Sequence, residues 1–128
     1  MRPLFAVALG TIAWLFAPAN AGAQSTSELL QSCEAIINAA HPARADTIDI
    51  PRAGLPCWHY MAAIQNASVL VDSGGKRLLG VCAPPDATLI DHVRIFVRYA
   101  RRNQKDVSDN AAAAAVVALS EAYPCGAN

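Results

Sequence analysis

The chain has 128 residues, with ten basic and ten acidic side chains, a formal net charge of zero and 54% hydrophobic residues. Balanced charge removes the electrostatic basis for nucleic-acid binding, and the length admits one small domain. Four cysteines in so short a chain, none paired as C-x-x-C, point to structural disulfides rather than a redox or zinc site.

The chain opens "MRPLFAVALGTIAWLFAPANAGAQS". A lone Arg2, an apolar run from Leu4 to Phe16 and two A-x-A sites, ending at Ala21 and Ala23, make the layout of a cleavable secretory signal. The apolar run is about two thirds of the roughly 20 residues that a spanning helix needs. The first cysteine is Cys33, too far from either cleavage site for a lipid anchor. The expected division is therefore a signal peptide over 1–23 and an exported helical domain over 24–128. That domain would be periplasmic and free of the membrane after cleavage. All four cysteines lie in it.

"STSELLQSCEAIINAA" starts with Ser25 and Glu28 in capping-box spacing. It then places Leu29, Leu30, Cys33, Ile36, Ile37 and Ala40 on one helical face, and His41 with Pro42 should stop it. The link "HPARADTIDIPRAGL" is long for a helix connection, which marks it as functional or mobile, and its "TIDI" alternates as a short edge strand would. A second helix is expected from Pro56 through "CWHYMAAIQNASVLV" to the break at "DSGGK", with Cys57, Tyr60, Met61, Ile64 and Val71 inward. After Pro84 and Pro85 a third helix starts at Thr88, with Asp91 three residues on and Leu89, Val93, Phe96, Val97 and Ala100 inward. The fourth begins near Ser108 or Asp109 and carries Ala112, Ala115, Val116, Leu119 and Tyr123 until Pro124 ends it. Its alanine run reads as packed helix, because alanine is the best helix former and lets helices approach closely.

The fold expected is all-α, a small four-helix bundle stapled by two disulfides. Four cysteines allow three connectivities. If the third and fourth helices are antiparallel neighbours, as their short connection suggests, the entry to one lies beside the exit of the other. Cys82 and Cys125 occupy those places, which leaves Cys33 with Cys57.

Chemistry is sparse. Cys57 with His59 has the residue types of a thiol nucleophile and its base, but residues two apart on a helix face different ways, so a disulfide beside a surface histidine is the better reading. His41 and His92 lie in separate elements without ligand spacing, and no metal or cofactor is expected. Asp46 and Asp49, and likewise Asp106 and Asp109, fit turn and cap positions better than an acid/base pair. Asn66 in "NAS" matches a glycosylation sequon by chance, and "DSGGKR" is a turn without phosphate-loop spacing. Trp58 reads as a residue covering the staple. Arg94, Arg98, Arg101 or Arg102, and Lys105 recur every three to four residues, a basic stripe that is either a solvated helix end or a docking surface for an acidic partner.

With "LLQSCEAI", "CWHYMAAI", "VCAPPDATLIDHV" and "LSEAYPC" in that order, the domain resembles the Tai family of type VI amidase immunity proteins, also grouped as resistance-associated proteins. The resemblance runs from Ser27 to Cys125. Its most specific pieces are the Cys-x-Pro turn at Cys82 to Pro84 and the closing Ala-Tyr-Pro-Cys at Ala122 to Cys125. Ala63 departs from it, since the family usually has glycine there. The resemblance implies a non-catalytic periplasmic protein, commonly a homodimer, that binds a peptidoglycan amidase effector and blocks it. The first candidate for the partner-binding surface is the connection from Arg101 to Asp109 with the stripe leading into it: Arg98, Arg101, Arg102, Lys105, Asp106 and Asp109. The link from Asp46 to Arg52 is the second. Competing readings are a small periplasmic binding or chaperone-like helical protein without a toxin partner, and an enzyme, which would want an uncommitted nucleophile.

Overall fold

The computed structural model describes residues 23–40 and 49–126. Residues 1–22 of the leader, the helix stop at His41 and Pro42, Asp46 and the first half of "TIDI" lie outside those residues.

Four helices form the described chain: α1 (Thr26–Ala39), α2 (Leu55–Ser68), α3 (Leu89–Arg102) and α4 (Ala111–Ala122), with a 3-10 turn at Arg52–Gly54 leading into α2. α1 and α3 start on capping boxes. Ser25 and Glu28 satisfy each other's backbone N–H groups, and Thr88 and Asp91 do the same. The hydrogen bonds from Ser25 hold the Glu28 carboxyl below its ordinary pKa, and those from Thr88, its hydroxyl first, lower that of Asp91.

The start of α2 has no capping side chain of its own. Ser32 of α1 supplies one across the interface. Its hydroxyl donates to the Ala53 carbonyl at 2.7 Å and accepts from the Cys57 N–H at 3.0 Å. Gly54 makes this approach possible, because a Cβ there would stand 2.5 Å from Ile36 Cγ1.

α3 is the central element and packs against α1, α2 and α4. Phe96, Val93 and Val97 meet Leu29, Ile36, Met61 and Leu119 in one core, with Ala114, Ala115 and Ala118 giving α4 its close seat. α4 starts later than expected, at Ala111 with Asn110 as its cap, and buries a shifted face: Ala111, Ala114 and Ala118 are inside while Ala112 and Val116 are only half-buried. An alanine run has no hydrophobic periodicity from which to read that rotation.

The disulfides are Cys33–Cys57 and Cys82–Cys125, with no free cysteine among the described residues. By chain-entropy arithmetic, loops of 24 and 43 residues contribute about 3.5 and about 4 kcal/mol of stability. The second staple is reinforced by a bridge between Val81 and Pro124 and by Cys82 N–H donating to the Tyr123 carbonyl at 2.8 Å. This staple fastens the exit of α4 to the entry of α3. At the other end, Thr26 N–H donates to the Asp109 carbonyl at 2.9 Å and Ala111 N–H to the Gln24 carbonyl at 3.1 Å, joining the starts of α1 and α4.

One expected element ends early. α2 stops at Ser68, so Val69, Leu70 and Val71 leave the helix, and Val71, expected inward, is exposed. The chain instead turns back on itself as a short hairpin, Val71 bridging to Arg77. Aspartate, serine and two glycines favour that reversal, and Gly75 takes φ +81°, a conformation that other residues adopt at a cost.

Candidate functional site

The basic stripe lies on the exposed side of α3, but most of it is already engaged. Arg94 meets Asp91 at 3.4 Å, Arg101 Nε meets Glu34 at 2.8 Å and Arg102 meets Glu121 at 3.7 Å. Arg98 is exposed and carries no ion pair among the described residues. Exposed pairs such as these contribute little to stability, at most about 1 kcal/mol each, yet they cancel charge that a partner would otherwise meet. The stripe is therefore narrower as a field than its sequence suggests, with Arg98 and Lys105 its cations outside the ion pairs of the described residues.

The connection from α3 to α4 presents Lys105 and Asp106 to solvent. Asp109 is exposed too, but its carbonyl and that of Ser108 are held by Thr26 of α1, through the Thr26 N–H and hydroxyl. The loop is thus pinned on its α4 side, with Asp109 beside the starts of α1 and α4. Arg101 sits against Glu34 further along α1 and Arg102 against Glu121 in the last turn of α4, so the six candidates do not form one cluster.

The Cys57 and His59 pairing has no thiol to offer, because Cys57 is fully buried in its disulfide and His59 is exposed. Trp58 is half-buried against the core beside that disulfide. Among the described residues no group of three His, Cys, Asp or Glu side chains is arranged to hold a metal ion. His41 lies outside the described residues.

Two features escaped the sequence reading. His92 is 1% exposed, and neither ring nitrogen has a hydrogen-bond partner. Burial pushes its pKa below the ordinary histidine value, against the opposing pull of the Asp91 charge. The Tyr123 ring meets it edge-on at a centroid distance of 5.6 Å. The second feature is the hairpin after α2, whose aliphatic side chains face water. Its signal was legible in "VLVDSGGKRLL", two apolar runs around a turn-forming centre, which is a hairpin pattern that the continuing apolar face of α2 obscured.

A family model described as Rap1a immunity proteins matches residues 25–125, the span from the α1 cap to the last cysteine. No curated protein and no solved structure matches the chain.

Proposed function

The chain belongs to the Rap1a immunity protein family, and from that premise we propose that it is a periplasmic immunity protein that binds a type VI secreted peptidoglycan amidase and occludes its active site. Membership of the family implies a cognate toxin effector as the partner. The finer assignment, to amidase inhibitors of the Tai group, is supported by the Cys82 to Pro84 turn and the Ala122 to Cys125 closure, which in the fold are one structure joined by a disulfide and a backbone hydrogen bond.

The observation that carries the reading is the family match along the whole stapled bundle. A rigid bundle suits inhibition, because little conformational entropy is lost when a pre-formed surface docks. The protein acts by binding and carries no catalysis of its own. Residues 1–23 direct export and are removed after Ala21 or Ala23, which the intact mass of the periplasmic form would read directly. The exported protein is a homodimer, to be read from light scattering. Arg98, with the exposed Lys105 beyond it, steers an acidic rim of the amidase toward the bundle, as surface charge typically does.

Co-expression tests the proposal. Cells given the cognate peptidoglycan amidase effector with an export signal should lyse, and cells also given this protein should survive. Lysis at equal expression of the two proteins contradicts the reading.

A further inference from the structure

Four large aliphatic side chains face solvent within ten residues of one another. Val69, Leu70, Val71 and Leu78 are 61%, 55%, 51% and 59% exposed. They stand on the hairpin between α2 and α3, where Leu78 N–H donates to the Leu70 carbonyl at 3.0 Å and Asp72 N–H to the Lys76 carbonyl at 2.9 Å. At the tip, Asp72 Oδ1 accepts from the N–H groups of Gly74 and Lys76 at 2.8 and 2.9 Å. The base is fixed as well: Leu79 packs on the core, Val81 is buried, and Arg77 donates to the Ser68 carbonyl at 3.4 Å. The apolar side chains are therefore held out on an ordered support. A soluble protein rarely presents such a cluster unless something covers it.

At the foot of the hairpin is a cleft of about 210 Å³, lined by Val69, Arg77, Ser68, Gln65 and His92 among others. No acidic side chain lines it. His92 lines it, with both ring nitrogens buried and unpartnered. Leaving a buried polar group without a partner is destabilising, so a histidine kept there in place of an apolar residue calls for a partner that the described residues do not supply.

We propose that the hairpin and this cleft form one docking site for the effector, taking an apolar ridge that carries a carboxylate side chain into the cleft. The proposal rests on the immunity reading for the identity of the partner. Charge complementarity selects the occupant. Arg77 is a donor at a space lined by no acid, and a carboxylate seated there would accept from it and, on a small shift of the His92 ring, from the protonated His92 nitrogen. A second copy of the chain fits poorly. A two-fold contact sets each patch against itself, which would bring Lys76 and Arg77 beside their counterparts. The only hairpin carboxylate, Asp72, is folded back on its own backbone N–H groups. In this arrangement the apolar hairpin governs how long the complex lasts, while Arg98 on α3 governs how fast it forms.

The test uses the exported protein and its purified cognate cell-wall amidase effector, with binding kinetics measured on an immobilised amidase and oligomeric state by light scattering. The paired substitution Leu70→Asp with Leu78→Asp changes only exposed positions and should weaken binding at least about thirty-fold, mostly through faster dissociation. His92→Phe keeps the bulk but removes the hydrogen-bonding atoms. It should weaken binding about tenfold without lowering the melting temperature, a split that a merely structural role would not give. Native-strength binding by the hairpin variant overturns the proposal while leaving the immunity reading intact. Loss of self-association with unchanged amidase binding assigns the hairpin to a second copy and also overturns it. Failure of the unsubstituted protein to bind the amidase overturns both.

Discussion

Ser32 and Cys33, neighbours on α1, both grip Cys57: Cys33 through a disulfide and Ser32 through a 3.0 Å hydrogen bond accepted from the Cys57 N–H. The serine thus does for α2 what a local capping residue does for most helices. Ser32→Ala should destabilise the oxidised protein by about 1–2 kcal/mol, since a buried N–H loses its partner while the staple stays closed. Thermal unfolding under non-reducing conditions measures it. An unchanged melting temperature would show that water replaces the serine.

The two staples should not contribute equally, and loop length ranks them the wrong way round. Cys33 and Cys57 are fully buried in the core, whereas Cys82 is exposed. Converting Cys33 and Cys57 to alanine removes the constraint on the unfolded chain and also leaves a cavity, so it should cost more than the about 2–4 kcal/mol expected for Cys82→Ser with Cys125→Ser. Urea titrations of the two variants decide the order.

His92 makes stability depend on pH. Its folded-state pKa is lowered by burial, so between that value and the unfolded value of about 6.5 the unfolded chain binds more protons. Stability is therefore full above about pH 6.5 and declines as pH falls toward the folded pKa. Glu28 and Asp91, whose carboxyls are held low by their capping partners, add a separate loss below about pH 4. His92→Phe should flatten the upper window alone, as read from melting temperature against pH.

Where side-chain chemistry and spacing acted locally, the elements were legible. Ser25 with Glu28 and Thr88 with Asp91 announced two helix starts through their capping boxes, and the proline positions with helix order led to the observed cysteine pairs. Tertiary competition hid the rest. Val69 to Val71 continue the apolar face of α2 in sequence, but the glycine-rich reversal draws them into a hairpin where they face water. The burial of His92 depends on how α3 sits against its neighbours, which spacing along one helix does not reveal. For the basic stripe, the sequence displayed the arginines but not Glu34 and Glu121, which come to them from α1 and α4.

Arg98→Glu isolates the stripe better than a triple reversal would, because changing Arg101 and Arg102 also breaks their pairs with Glu34 and Glu121. The expected effect is a several-fold slower association with the amidase, fading as salt is raised, with little change in dissociation. Stopped-flow mixing at two ionic strengths reads both rates. A salt-independent effect would place Arg98 outside the steering field.

The central claim is inhibition by occlusion, and the direct measurement is peptidoglycan cleavage by the purified amidase effector as this protein is titrated in. Occlusion requires that cleavage fall linearly to zero as one protomer is added per amidase, with no peptidoglycan cleaved or modified by the protein alone. Full cleavage at a saturating excess of folded, disulfide-bonded protein would contradict it.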